Sequence, residues 1–216
     1  MLKVINLISL MSILLSLCGC EGLPDHKWLE NNTFYSSKLP SMEIQVSQHL
    51  QEGTENSMNT TAESSNNSST TGLLTNTYVF WDKEGKQQLV IHIENINQAS
   101  WYMNDFDFSS NPSFLTVSEE KMGGWRFDTG IYVKSMPQQT FLVKIYGRIF
   151  GNQTRFALLY LEGVNNSWNK TGLVLNSEQR AFLEEFEKRA GESFTIRPYS
   201  GIKPPDQRSN VIVSKQ

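Results

Sequence analysis

The chain reads as α+β, an antiparallel meander of about six or seven strands with one C-terminal helix packed on one face. Three observations predict this. Between Thr77 and Val164 apolar residues recur at every second position, the period of a strand with one face buried. Turn-forming stretches (Asp82-Lys83-Glu84-Gly85, Asn111-Pro112, Met136-Pro137-Gln138, Gly151-Asn152) cut that region into runs of strand length. Near Ser177 the period lengthens to that of an amphipathic helix.

Taken in order, the chain begins with Lys3 and an apolar run from Ile5 to Leu17, too short to span a bilayer as a mature helix. Leu17-Cys18-Gly19-Cys20 closes the run. A Leu three places before a Cys, with a small residue directly before that Cys, resembles the lipobox of bacterial lipoproteins. The resemblance covers the first 20 residues only. It implies that residues 1–19 are a signal peptide and that Cys20 carries a diacylglyceryl group on sulfur and an acylated amino terminus. Two or three acyl chains anchor a protein stably, whereas one does not. Cys18 is the weaker acceptor, since Leu17 before it is too bulky to resemble the cleavage site. Glu21, standing where Asp commonly marks inner-membrane retention, implies the outer membrane, with the domain facing the periplasm or the cell surface. The competing reading is an ordinary secretory signal, cut after Gly19 with no lipid added.

Without Lys3 the mature chain has 18 basic and 22 acidic residues, a balance that argues against nucleic-acid binding. Cys18 leaves with the signal and Cys20 is lipidated, so a disulfide, a thiolate metal site and a cysteine nucleophile are all excluded. No cofactor is expected.

Residues 20–75 read as a tether. Their centre, Gly53 to Gly72, is almost wholly Ser, Thr, Asn, Gly and Glu, a composition that buries too little apolar surface to offset chain entropy. From Glu21 to Asn76 there are seven acids and two bases; from Thr77 onward there are 15 and 16. That contrast supports a boundary near Leu74. As a flexible coil the tether would hold the domain on the order of 40 Å from the membrane. Two patches interrupt it: Trp28, Leu29, Phe34 and Tyr35, and the alternating Met42-Glu43-Ile44-Gln45-Val46. Either they touch the membrane interface or fray in solvent, or one docks as an added strand.

The α+β domain is placed at residues 76–200, with 201–216 an irregular tail. Its strands are Thr77 to Trp81, Gln88 to Ile96, Trp101 to Phe108, Phe114 to Val117, Trp125 to Lys134, Thr140 to Phe150 and Arg155 to Glu162, then Phe194 to Arg197. In Thr140 to Phe150, Phe141, Val143, Ile145 and Ile149 are assigned to the core. Leu142, Lys144, Tyr146, Arg148 and Phe150 form an amphipathic second face. The helix runs from Ser177 to Ala190, capped by Asn176 or Ser177, stopped by Gly191, with Phe182, Leu183, Phe186 and Ala190 as its apolar stripe.

Catalytic signals are thin. His92 and Glu94 share one strand face, but nothing follows that completes a zinc deaminase motif, and the other histidines are only His26 and His49. Asp105, Asp107, Ser109 and Asn111 imitate a calcium loop without its turn glycine or closing acid. Ser118-Glu119-Glu120-Lys121 matches Ser-X-X-Lys without the companion motifs. No catalytic and no metal-binding residue is therefore assigned, and the protein is not expected to be an enzyme. The best candidate surface is basic and aromatic: Lys144, Tyr146 and Arg148, joined by Lys134 and Arg155. Its bland reading is a solvated sheet face with ordinary cross-strand pairs. Seven Asn-X-Ser/Thr sequons, at Asn31, Asn59, Asn66, Asn67, Asn152, Asn165 and Asn169, imply glycosylation in a eukaryotic secreted chain and are compositional accidents in a bacterial one. The expected function is a lipid-anchored envelope adaptor that binds another envelope protein through a sheet edge or the basic-aromatic face. The alternative is a surface lipoprotein that binds a glycan or host ligand.

Overall fold

The computed structural model describes residues 26–63, 70–96, 98, 103–168 and 174–205. The signal peptide, Cys20, three sequon residues (Asn66, Asn67, Asn169) and positions 206–216 lie outside them. Among the described residues eleven strands and one α-helix follow one another, with a single 3-10 turn at Asn166–Trp168: β1 (Lys27–Glu30), β2 (Thr33–Ser36), β3 (Met42–Val46), β4 (Gln51–Glu63), β5 (Thr70–Trp81), β6 (Gln87–Ile96), β7 (Phe114–Met122), β8 (Trp125–Ser135), β9 (Thr140–Phe150), β10 (Thr154–Val164), α1 (Ser177–Glu192) and β11 (Phe194–Pro198).

They form two sheets rather than one meander. The large sheet has the order β4-β5-β6-β10-β9-β8-β7 and the small one β1-β2-β3-β11. Every neighbouring pair is antiparallel. In the large sheet two meanders run inward from opposite edges and meet where β6 pairs with β10. In the small sheet β11 returns from the helix to pair with β3, so the end of the fold closes onto its beginning.

The expected tether is therefore largely structured. The first described strand starts at Lys27, and β1 to β4 and half of β5 occupy the stretch read as a spacer. The composition argument fails because it averages over the segment. Phe34, Met42, Ile44 and Leu50 are few but wholly buried. Each such side chain contributes roughly 2 kcal/mol of burial. The Ser/Thr/Asn-rich run needs no core of its own, since β4 lies at the rim and pairs its backbone with β5 along its whole length.

One face of the large sheet packs on the small sheet and α1. Leu89, Ile91 and Ile93 of β6 and Phe156, Leu158 and Tyr160 of β10 meet Phe34, Ile44, Phe186 and Ile196 there. In β9 the expected faces exchange roles. Leu142, Tyr146 and Phe150 belong to this main core, while Phe141 and Val143 join Leu161 in a small cluster on the outer face. Both faces of β9 carry large apolar residues, so alternation alone cannot orient it. Register does, since Leu158 of the core face stands opposite Tyr146.

The helix follows its sequence signals at the start. Asn176 accepts from the Gln179 backbone N–H at 2.8 Å, and the Gln179 side chain accepts from the Asn176 N–H at 3.1 Å, a complete capping box. It runs past Gly191 to Glu192. Trp101 to Phe108 is not a strand in its described part, residues 103–108. The chain there drapes over the outer face, and the Phe106 ring lies where a Cβ on Gly147 would stand, at 2.7 Å. Phe114 covers Gly130 in the same way.

Candidate binding surfaces at the sheet edge

The basic and aromatic residues singled out in the sequence do not form one surface. Lys144 (6% exposed) and Tyr146 (fully buried) point into the core from β9. Arg148, on the same face, donates from Nη1 to the Arg126 carbonyl at 2.6 Å and lies 5.1 Å from the Phe150 ring centre. Lys134 and Arg155 stand on the opposite face. Lys134 is exposed near the end of β8, opposite Phe141. Arg155 lies 4.9 Å over the Phe106 ring and donates to the Asn104 carbonyl at 3.2 Å. Period-2 alternation predicts the split, because β10 pairs with β9 so that Arg155 faces Ile149 rather than Arg148.

Inside the core, the Lys144 ammonium is 2.7 Å from a Glu120 carboxylate oxygen and 5.2 Å from the centre of the Tyr146 ring. The Tyr146 hydroxyl is buried without a hydrogen-bond partner among the described residues. Burial pushes its phenol well above the ordinary range, and the charges of Glu120 and Glu187 push it further.

On the outer face a hydroxyl, an imidazole and a carboxylate line up. Thr77 Oγ1 is 2.9 Å from His92 Nδ1, and His92 Nε2 is 3.4 Å from Glu94, which also faces Arg155 at 3.7 Å. The hydrogen bond from His92 holds the Glu94 carboxyl below the usual range against its burial, with the charges of His92 and Arg155 adding. The order resembles an activated nucleophile, yet the residues lie on a flat sheet. β6 is paired on both sides, so neighbouring backbone N–H groups are committed to the ladders and do not converge on an oxyanion. The arrangement pins three strands together. Among the described residues there is no group of three or more His, Cys, Asp or Glu placed to hold a metal. The calcium-like run closes on itself, as Asp107 accepts from the Ser109 hydroxyl and the Ser110 N–H.

What the sequence did not disclose is the rim. β4 pairs with β5 and has no neighbour on its other side among the described residues, so 13 residues of strand edge stand open. At its start the register shifts between Glu52 and Thr54, and the Trp81 ring occupies the place a side chain on Gly53 would need. A cleft of about 540 Å³ starts at this edge and runs across β5 and β6 as far as Thr154 of β10. Lys27 and Leu39 of the small sheet form one wall and Glu55 and Ser57 of β4 the other, with Asn76 and Tyr78 of β5 between them. Phe80 and Tyr78 of β5 lie buried against the small sheet; Asn76, two residues on, is polar and lies beyond its cover. The available signal was the pair of Thr-rich runs flanking Asn66 and Asn67, since threonine suits strands as well as linkers. No family model, no curated protein and no solved structure matches this chain.

Proposed function

We propose that this protein is a lipid-anchored cell-envelope protein, held in the outer membrane through Cys20, that acts as a non-enzymatic adaptor by pairing β4 with an extended segment of another envelope protein. The open edge of β4 carries this reading. Natural sheets usually shorten, charge or cover their edges, because a row of unpaired N–H and C=O groups recruits another strand. A 13-residue edge is long enough for a partner to gain main-chain hydrogen bonds along it, with the cleft receiving alternate side chains. From Gln51 to Glu63 the sequence has three glutamates and no lysine or arginine, so the complementary segment is basic. The basic-aromatic face offered as the other docking surface supports no binding, since its two central residues are buried.

In-cell photo-crosslinking tests this. A benzophenone side chain at Ser57 or Asn59 is expected to capture one and the same envelope protein, and the same group at Arg180 on α1 is not. Glu55→Lys is expected to weaken capture at least about tenfold through like-charge repulsion with the fold intact by circular dichroism. Absence of a specific adduct at both β4 positions in a correctly folded protein overturns the adaptor reading.

A further inference from the structure

Strand register gathers several distant parts of the chain at one end of the small sheet. Lys27 stands opposite Ser36, Ser36 opposite Met42, and Met42 opposite Pro198. The start of β1, the loop from Ser37 to Ser41 and the segment from Tyr199 to Pro205 therefore lie together. The Tyr199 N–H donates to the Ser41 carbonyl at 3.3 Å, and the Ser37 N–H to the His26 carbonyl at 3.0 Å.

This end has the composition of a membrane interface. Leu39 (43% exposed), whose tip lies near Gly151 of the β9–β10 turn, and Ile202 (40% exposed) stand on its two loops. Trp28 stacks on Tyr35 with ring centres 4.9 Å apart, and Tyr199 meets Trp28 edge-on at 6.1 Å. Tryptophan and tyrosine rings favour the headgroup layer; here the Trp28 indole N–H is turned into the fold and the Tyr199 hydroxyl donates to the Ile202 carbonyl, so the cluster offers its rings rather than its polar tips. Lys38 and Lys203 are exposed beside the two aliphatic residues. Among the described residues two acids lie near this end: Glu43, 5% exposed, accepts from the Ser200 N–H at 2.7 Å and is turned into the fold, while Glu55 of β4 lines the cleft that Lys27 and Leu39 share.

The chain length leading to it completes the case. Six residues separate Cys20 from Lys27, and the seven steps between the two reach at most about 25 Å even when fully extended. A lipid on Cys20 keeps this end within that distance of the acyl chains.

We infer that this end of the small sheet docks on an anionic phospholipid surface, with Leu39 and Ile202 entering the headgroup layer, the Trp28–Tyr35–Tyr199 cluster lying at its level and Lys38 and Lys203 facing lipid phosphates. The inference rests on the proposed lipidation of Cys20 for its proximity, while the surface itself is a property of the fold. It replaces a swinging domain with one held in a fixed orientation. The cleft, which shares Lys27 and Leu39 with this end, then opens beside the bilayer.

The test uses the full acylated chain in phosphatidylglycerol/phosphatidylethanolamine vesicles. Lipid occupies its cysteine sulfur, so an environment-sensitive dye can be placed uniquely at Leu39→Cys, Ile202→Cys or, as control, the exposed Met136→Cys. The dye is expected to shift to the blue at positions 39 and 202 and not at 136. Lys38→Glu with Lys203→Glu is expected to diminish the shift. For the unacylated Cys20→Ala chain the same lysine reversals are expected to weaken vesicle binding by roughly fivefold each. Equal response at all three positions, in protein whose mass confirms the lipid, overturns the docking surface and leaves the anchor standing. A mass without lipid overturns the anchor instead, and vesicle binding by the unacylated chain then decides the surface, with no binding counting against it. A response at 39 and 202 that requires added envelope proteins assigns the surface to a protein partner and overturns the inference.

Discussion

An ammonium group inside a core is tolerated when a carboxylate meets it there. Lys144 has Glu120 at 2.7 Å, and Glu120 keeps about a third of its side chain in water (35%), which lowers the cost of its own charge. The asymmetry of such pairs gives a sharp expectation. Glu120→Gln leaves the buried charge uncompensated and is expected to destabilise the fold by about 2 kcal/mol. Lys144→Met replaces the charge with an apolar chain of similar length and is expected to cost less than about 1 kcal/mol. Urea midpoints of the two variants check the order; a greater loss for Lys144→Met would contradict the account. At this scale the sequence is a poor guide to exposure. Lys144, Tyr146 and Arg148 read as a polar face because two of them are charged, and nothing local reveals that Glu120, two strands away, stands ready to neutralise one. Gly130 and Gly147 were legible in principle, since a glycine inside a strand marks close approach of another group, here the rings of Phe114 and Phe106.

At the scale of elements, what is legible is what local physics decides. The helix start follows from Asn176 and Gln179, and its buried stripe of Leu183, Phe186 and Ala190 follows from spacing. Asn176→Ala is expected to cost about 1 kcal/mol, because the Asn176 side chain accepts the Gln179 N–H at 2.8 Å, a bond alanine cannot make. Thermal unfolding measures this, and an unchanged midpoint would show that the capping box adds nothing. The strands from β8 to β10 are equally legible, bounded by turns that Pro137 and Gly151 mark. β4 and β5 are not. A run of Ser, Thr and Asn has no preference strong enough to fix its state by itself, and only pairing over Gln51–Glu63 makes it a strand. The same polarity that hid β4 leaves its outer edge wet and open, so the element most easily missed is the one that offers a binding edge.

For the molecule as a whole, the two sheets answer a question of distance. A fold that begins at Thr77 hangs from the membrane by a long coil; a fold that begins at Lys27 lies within about 25 Å of Cys20. Closure of β11 onto β3 fastens that first segment to the last strand, so it cannot detach as a spacer without losing the buried Met42, Ile44 and Val46. Such topology is not legible from local pattern, because the pairing of β3 with β11 joins Ile44 to Ile196 across nearly the whole described chain. The mostly antiparallel strands and, among the described residues, the one C-terminal helix are legible because they depend on period alone. The function proposed here stands first on the anchor, and palmitate labelling with membrane fractionation tests it directly, comparing the native protein with Cys20→Ala. The account predicts that the native protein takes up label and sediments with the outer membrane, and that Cys20→Ala loses the label and most of its membrane association. A native protein that is unlabelled and recovered in the soluble fraction would contradict it.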